Sequence, residues 1–395
     1  MSAPPPAAEP TGSAPGAERQ VGRLWVGAAV AAAGVLVLTW LVVRDGDSAP
    51  EKGIAGVSGA VSGSGSVSAS GAATPPPGAG APSADVSPGA LPAAVRSRAR
   101  DHAPGGCDLV VRLDMARVLA LPAAQNHFGP VLREIAEGGE TDTPASRRTR
   151  DLLRNAGIDP RRDIAEVLIC AANLEGPAKT QKLAVVLTGN LRPETVVAAA
   201  SGAEGSEALP AHGGRKVLAL PSKGGDRLTL GQAADGALVI SNDRGFFDAA
   251  VATSRTAEDA YRLPAEPDMA AVVVPEYFAR GGDNDGPLSR HRADVRRVTI
   301  TVFLAPGAGS RAEVRASMRD AASAADLSST AGALLESAQR EGGGLAGQLL
   351  TAAKMRVDGS DLVVDAPWSA AIVDRVAKNA AGSLRDTFQR GALRL

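Results

Sequence analysis

The sequence predicts an α+β protein in which one N-terminal transmembrane helix and a long linker precede two tandem units of sheet and helix. Three observations predict this class. A charge-free apolar run of about twenty residues lies near the N-terminus, long enough to span a bilayer. A stretch rich in Gly, Ser, Pro and Ala follows it. From there onward, strand-like and helix-like apolar patterns alternate between turn residues.

The apolar run comprises residues 24–43. At ~1.5 Å per residue it matches the ~30 Å hydrocarbon core, and it exceeds the ~7–15 apolar residues of a cleaved signal peptide. Trp25 and Trp40 lie near its two ends, where indole rings favour the headgroup region. We therefore predict a signal-anchor helix that holds the chain in a cell membrane. Cleavage near the small residues 58–60 is the alternative.

Orientation does not follow from the flanking charges, because Arg19 and Arg23 before the run are matched by Arg44 and Lys52 after it. A short polar tail before a first helix usually stays in the cytoplasm, and long domains translocate regardless of charge. We predict a single-pass protein with its C-terminal part outside the cytoplasm. The inverted topology, a cytoplasmic-facing scaffold, is the alternative.

Two low-complexity segments flank the predicted helix. Residues 1–20 and 44–106 are rich in Ala, Pro, Gly and Ser, a composition that buries too little apolar area to offset the entropy of ordering. The first is predicted to be a disordered tail and the second a linker. The end-to-end distance of a flexible chain is ~5–6 Å times the square root of its residue number, which gives roughly 40 Å for this linker.

Composition excludes some partners. Lys and Arg total 42 and Asp and Glu total 43, and aromatic residues make up 3% of the chain. The charges create no strong basic field and stacking platforms are few, so we expect no nucleic-acid partner. No cofactor motif is found. Arg outnumbers Lys and Ala and Gly are abundant, a pattern typical of high-GC bacteria, which together with the anchor indicates a bacterial envelope protein.

Cys107 and Cys170 are the two cysteines of the chain. Their spacing fits no zinc motif, and two readings stay open: a disulfide in an oxidising compartment, or two buried thiols that pack as small apolar side chains.

The first unit is predicted over residues 107–255. Turn signals separate its elements: Gly157-Ile158-Asp159-Pro160 ends a helical region, Gly176-Pro177 joins two strands, Pro193 begins a short helix and Asp243 caps another. The predicted strands are residues 108–113, 166–172, 182–188, 216–220, 227–230 and 237–241. The predicted helices are residues 126–137, 145–156, 193–200 and 243–252.

The second unit is predicted over residues 266–395. A turn at 306–309 joins two strands, and Asp358-Gly359-Ser360 closes a hairpin. The predicted strands are residues 270–274, 298–304, 312–318, 355–357 and 362–365. The predicted helices are residues 321–340 and 368–379, with a further helical turn ending at residue 353.

Local similarity suggests that the two units arose by duplication. The segment 235–240, Asp-Gly-Ala-Leu-Val-Ile, resembles Asp358-Gly359 with Leu362-Val363-Val364. Each unit would then be an antiparallel or mixed sheet with helices on one face, similar to split βαβ folds. The alternative is an ordinary α+β fold, in which such orders recur without common ancestry.

No catalytic constellation is visible, so no catalytic residue is assigned. None of the four histidines lies in a recognised motif, and we interpret His102, His212 and His291 as exposed loop residues. The glycines 342, 344 and 347 match a dinucleotide-binding spacing but follow a helix instead of a strand. The loop 283–286 begins as a calcium loop does but lacks the closing glutamate, so no metal site is predicted.

Two groups of arginines precede the second strand of each unit. If the units are repeats, the groups occupy equivalent places, and guanidinium groups there would bind anionic headgroups, anionic polymers or an acidic protein. Exposed arginines paired with nearby aspartates are the alternative. The candidate anion-binding residues are Arg147, Arg148, Arg161, Arg162, Arg290, Arg292, Arg296 and Arg297.

The sequence therefore favours a non-catalytic, membrane-tethered envelope protein whose soluble part binds a protein or anionic polymer. The membrane contact is residues 24–43. A hydrolase whose site is assembled from scattered Asp, Ser and Arg is the alternative, since such a site leaves no local motif.

Overall fold

The computed structural model describes residues 99–138, 144–174, 180–221, 227–252, 260–274, 288–306, 309–341, 348–350 and 352–389. These residues form an α+β fold with one large antiparallel sheet. The predicted tail and transmembrane helix, most of the predicted linker, and the loops 283–286 and 342–347 lie outside them. No helix in the described part of the chain is long and apolar enough to cross a membrane.

The sheet has twelve strands. They are β1 Leu109–Asp114, β2 Ile164–Ala172, β3 Lys182–Gly189, β4 Glu207–His212, β5 Arg215–Pro221, β6 Arg227–Gln232, β7 Leu238–Ser241, β8 Met269–Val273, β9 Val295–Phe303, β10 Ser310–Met318, β11 Lys354–Asp358 and β12 Asp361–Trp368.

Helices connect the strands. They are α1 Met115–Leu119, α2 Pro122–Glu137, α3 Pro144–Ala156, α4 Pro160–Asp163, α5 Pro193–Ser201, α6 Arg244–Ala252, α7 Ala321–Glu341 and α8 Ala370–Gln389, with 3-10 turns at Ala99–His102 and Ser289–Asp294. Four of these helices begin at proline, which lacks the N–H that a first helical position leaves unpaired.

The strand order is β11-β12-β10-β9-β8-β1-β2-β3-β7-β6-β5-β4. All of the described pairings are antiparallel, so the parallel pair of a split βαβ fold is not among them. β1 pairs with β8 in the middle, with Val111 opposite Ala271. The two predicted units therefore contribute to one continuous sheet instead of forming a sheet each.

One side of the sheet, here called the helix face, is covered by helices from β5 to β11. A row of apolar side chains crosses it, and α3, α5, α7 and α8 pack against this side. α2 packs mainly on α3 and α8. The row comprises Leu230, Ile240, Val185, Ile169, Val111, Ala271, Ile300, Val314, Val364 and Met355. Its β-branched and aliphatic residues suit a pleated, buried surface.

The other side is covered differently in its two halves. In the first half, α6 and the segment 99–107, here called the strap, pack against β2, β3 and β7, so this side is called the strap face. Phe247 of α6 lies so close to Gly231 that a Cβ there would meet its Cζ at 2.7 Å. A larger residue at Gly231 would push α6 away from the sheet.

The strap is anchored along its length. Cys107 forms a disulfide with Cys170 of β2, and the Tyr261 hydroxyl donates to the Pro104 carbonyl while it accepts from the Cys107 amide at 3.3 Å. Ala99 is fully buried. The predicted linker extends to residue 106, and within its last part Ala99–His102 form a 3-10 turn in which Ala99 and His102 are buried.

The observed elements differ from the predicted ones in a few places. β4 was not predicted, because Glu207–His212 contains proline and lacks β-branched residues; it lies at the sheet edge, where proline is tolerated. α2 begins four residues earlier than predicted, at Pro122. α8 extends to Gln389, because its apolar residues continue to pack against α2.

The two halves of the sheet have matching topology. The order β1-β2-β3-β7-β6 on one side of the centre corresponds to β8-β9-β10-β12-β11 on the other. β2 and β9 are both nine residues long, and both are followed by a hairpin and a helix. The hairpin of β4 and β5 extends the first half only.

Candidate binding surface

The first group of predicted arginines lies around α3 and α4. Arg147 is exposed, and the side chain of Arg148 lies outside the described residues. Arg161 donates two hydrogen bonds to Asp159, each 3.1 Å long, and Arg162 lies 4.0 Å from the same carboxylate. Burial raises the pKa of Asp159, but the bonds and charge of Arg161 outweigh it and leave that pKa lowered. One aspartate thus offsets part of this group's charge.

The second group lies around the 3-10 turn before β9. Arg290 lies 3.5 Å from Asp326 and donates to Thr330 at 2.6 Å. Arg292 is half-buried and Arg296 is exposed at the start of β9. Side chains along β9 alternate between the two faces of the sheet, and Arg297 is two residues before Thr299, which lies on the strap face. Arg297, opposite Ser317 of β10, therefore lies on the strap face as well.

The two arginine groups lie at opposite ends of the sheet. β2 begins beside the end of β1, because Asp114 pairs with Glu166. β9 begins beyond the other end of β1, because Val298 pairs with Val273 and Val273 pairs with Leu109. At ~3.3 Å per residue the groups are separated by roughly 25 Å along the strands. The two groups therefore do not form one continuous patch, and anion binding by either group stays a prediction.

Two histidines interpreted as exposed are buried. His102 is 5% exposed and His291 2% exposed. The Nε2 of His291 accepts from Arg290 Nε at 3.0 Å and lies 3.1 Å from the Thr330 hydroxyl. Arg290 therefore occupies the lone pair that a general base would need, and the arrangement indicates a structural cluster. His212 is half-buried, 3.3 Å from Asp248.

His102 joins the strap to two distant parts of the fold. Its Nδ1 lies 3.1 Å from the Ala250 carbonyl of α6, and its Nε2 lies 3.0 Å from the Asp235 carboxylate. Burial raises the pKa of Asp235, but hydrogen bonds from His102 and from the Ala237 amide outweigh it and leave that pKa below its ordinary value. The ionised carboxylate is thus part of what holds the strap down.

Replacing Asp235 with asparagine is expected to lower the free energy of unfolding by about 1 kcal/mol at neutral pH. A lowered folded pKa contributes stability above the ordinary pKa that is lost as the pH falls through the folded value, so the difference from wild type should shrink between about pH 5 and pH 3. Denaturant unfolding at several pH values measures this. Asp374→Asn, at the exposed partner of His127, is the matched control and should change stability less. A difference that stays constant with pH would contradict the account.

A buried ion pair lies beneath the strap at the centre of the sheet. Arg112 Nε lies 2.5 Å from Glu166 Oε1, and Arg112 also donates to the Pro267 carbonyl at 2.9 Å. The other oxygen, Glu166 Oε2, accepts from the Ala99 amide at 3.2 Å. Burial raises the pKa of Glu166, although the positive charge of Arg112 acts to lower it. The pair therefore fixes the start of the strap at an appreciable desolvation cost.

The second half of the strap face is polar. We call this surface the polar patch. α7 and α8 pack on β10 and β12 from the helix face, on the opposite side. The side chains of the patch are Arg297, Thr299, Thr301, Phe303, Arg311, Glu313, Arg315, Ser317, Asp361, Val363, Asp365 and Pro367.

Ion pairs bind the carboxylates of the polar patch. Within β10, Arg315 lies 3.1 Å from Glu313. Two further pairs join neighbouring strands: Arg315 lies 3.0 Å from Asp361 of β12, and Arg356 of β11 pairs with Asp365. These bonds raise the pKa of Arg315. The patch is therefore a rigid, charged surface, in which opposite charges on neighbouring strands stabilise the sheet.

A shallow groove of about 520 Å³ lies on the strap face between β4 and β6. Its walls include Leu209, Ala219 and Thr229. Two arginines line it, but Arg227 is paired with Glu207 and Arg244 with Asp248, so their charges are already engaged within the fold. Within the described residues no three His, Cys, Asp or Glu side chains are arranged to hold a metal ion.

The sequence itself contains a local pattern that indicates the polar patch. In β10 the polar residues Arg311, Glu313 and Arg315 alternate with Ala312 and Val314, the period of a strand with one buried and one polar face. By contrast, the partners of His102 lie more than 130 residues away, and no local pattern indicates them.

The structure thus defines an α+β protein with a large antiparallel sheet and a charged patch on one of its faces. No protein-family model matches the chain, and no curated protein is significantly similar to it in sequence. Among solved structures it is similar to TP0453 at low scores. Crystal form IV gives a TM-score of 0.40 at 10% identity, covering 72% of this chain and 97% of that one. Form III gives 0.38 at 10% identity, covering 71% and 98%. Similarity at this level adds nothing about role.

Proposed function

We propose that the chain is a single-pass, membrane-tethered envelope protein whose soluble part lies outside the cytoplasm and acts as a non-catalytic binding module. The observation that carries this proposal is the disulfide between Cys107 and Cys170. Disulfides persist in oxidising compartments and are rare in the cytoplasm. A soluble part that is disulfide-bonded and connected to the apolar run 24–43 fits an extracytoplasmic location.

The polar patch supports the binding role. It presents partly exposed charged side chains from three neighbouring strands of one rigid sheet, while Thr301 and Val363 within it are buried. A broad surface of this kind suits a macromolecular partner. A predicted linker reaching roughly 40 Å would let this surface meet partners away from the bilayer.

We infer that the two halves arose by duplication. Aligned by their cross-strand pairs, Ile169 corresponds to Ile300, Val185 to Val314 and Ile240 to Val364. This alignment, made from the sheet alone, also superimposes the similar segments Leu238-Val239-Ile240 and Leu362-Val363-Val364. An Asp-Gly turn with positive φ precedes each, at Gly236 and Gly359. Topology and sequence thus support the same repeat.

A reporter that is active only outside the cytoplasm, fused after Leu395, is expected to be active, and a cytoplasm-only reporter at the same position is expected to be silent. Deletion of residues 24–43 should release the protein from membranes, because the apolar run is the proposed anchor. Fractionation and reporter assays measure both. Activity of the cytoplasmic reporter would instead favour the cytoplasmic scaffold, and membrane retention after the deletion would contradict the proposed anchor.

A further inference from the structure

The strap face changes its chemistry between the two repeats. In the first repeat its side chains on β2 and β3 are mostly apolar and covered by the strap and α6. At the corresponding positions of β9 and β10 they are polar. The covered residues are Leu168, Cys170, Ala184 and Val186, and their counterparts are Thr299, Thr301, Glu313 and Arg315.

The hydrogen-bonding role at the position that anchors the start of the strap is also reversed between the two repeats. Glu166 accepts a hydrogen bond from the Ala99 amide in the first repeat. Its counterpart on β9 is Arg297, which donates and does not accept. The same place in the second repeat therefore suits an acceptor, such as a carboxylate or a carbonyl, from an incoming segment.

Within the described part of the chain, two arginines of the polar patch and Arg262, whose charge acts on Arg297, are not paired with a carboxylate. The patch carboxylates Glu313, Asp361 and Asp365 are all bound by Arg315 or Arg356. Arg262, Arg297 and Arg311, in contrast, have no bonded carboxylate among the described residues.

Two of these arginines lie near each other. Burial and the charge of Arg262 lower the pKa of Arg297, with Asp361 opposing them. Arg262 also has a left-handed backbone, with φ of 53°, which is uncommon for a residue other than glycine. The third, Arg311, lies over the Phe303 ring at 4.4 Å. An anionic partner would relieve the repulsion between the first two.

We infer that the polar patch docks an acidic polypeptide segment of a partner protein, which lies across β9, β10 and β12 as the strap lies across β2 and β3. The strap, a 3-10 turn followed by non-strand residues, is the structural precedent for a short segment that covers this face. Arg297 and Arg311 of the patch, with the neighbouring Arg262, select negative charge. This inference deepens the proposed binding role and rests on it.

The test is fluorescence anisotropy of the full-length protein in detergent with a labelled nine-residue peptide of alternating Glu and Gly. A peptide with Gln in place of Glu is the uncharged control. We expect binding of the acidic peptide that weakens with salt, and a loss of about tenfold or more in the double variant Arg297→Glu, Arg311→Glu. Arg340→Glu, a single charge reversal of the same kind at an exposed position of α7, should leave the affinity within about twofold.

Equal binding of the Gln peptide, or unchanged affinity in the double variant, would overturn the inference. Stronger competition by glycerol phosphate than by the peptide would also overturn it, in favour of a headgroup site. If the glutamate variant loses its wild-type unfolding midpoint, Arg297→Gln with Arg311→Gln replaces it and must weaken binding. The topology reporter is independent of this assay, so failure of peptide binding leaves the proposed location standing.

Discussion

Replacing both Cys107 and Cys170 with alanine is expected to lower the free energy of unfolding by about 4 kcal/mol, one of the two largest effects we foresee. The disulfide closes a loop with a sequence separation of 63 residues, and the cross-link removes that loop's closure entropy from the unfolded chain. It also fixes the end of the strap, so its loss should expose the apolar surface beneath. Denaturant unfolding of oxidised protein and of the double variant measures the difference.

Reduced wild-type protein is the matched control, because it keeps both sulfur atoms and loses only the bond. Its stability should fall close to that of the double alanine variant, with the remaining difference due to packing of the two buried side chains. Equal stability with and without reductant would show that the bond does not hold the strap.

The second large effect is expected at the buried ion pair. Glu166→Leu leaves Arg112 charged, buried and without its carboxylate, and this should lower the free energy of unfolding by about 3–5 kcal/mol. The Ala99 amide loses its acceptor in the same variant. Thermal and denaturant unfolding of the single variant and of Arg112→Met with Glu166→Leu measure the effect.

The double variant should recover most of the lost stability, because two well-packed apolar side chains avoid the desolvation cost that raises the pKa of Glu166. A double variant as unstable as Glu166→Leu would mean that the pair contributes mainly through its hydrogen bonds to the strap and to Pro267. In that case the ion pair itself would not be the costly element described above.

Local patterns predicted most of the individual elements. β-branched runs and turn residues located eleven of the twelve strands, missing β4, whose sequence resembles a loop. The alternation of charged and small apolar residues in β10 also indicates the polar patch, because a period of two is typical of a strand with one buried and one polar face. These features depend on residues close together in sequence, which is why they can be predicted.

The way in which the two halves join could not be predicted. The pairing of β1 with β8 connects residues about 160 positions apart, and it places equivalent loops at opposite ends of the sheet. The two arginine groups, which precede β2 and β9, therefore lie far apart although they occupy corresponding places in the two halves. The burial of His102 and the pairing of Arg112 with Glu166 also depend on long-range contacts that leave no local signature.

The central claim is that the soluble part is a disulfide-bonded module outside the cytoplasm, and the state of its two cysteines in growing cells tests it most directly. Cells are quenched with an alkylating reagent, and the full-length chain is then labelled with a second, heavier thiol reagent with and without reduction. We predict that Cys107 and Cys170 take the second label only after reduction, because both are in the disulfide. Alkylation of both cysteines by the first reagent, before any reduction, would contradict the account.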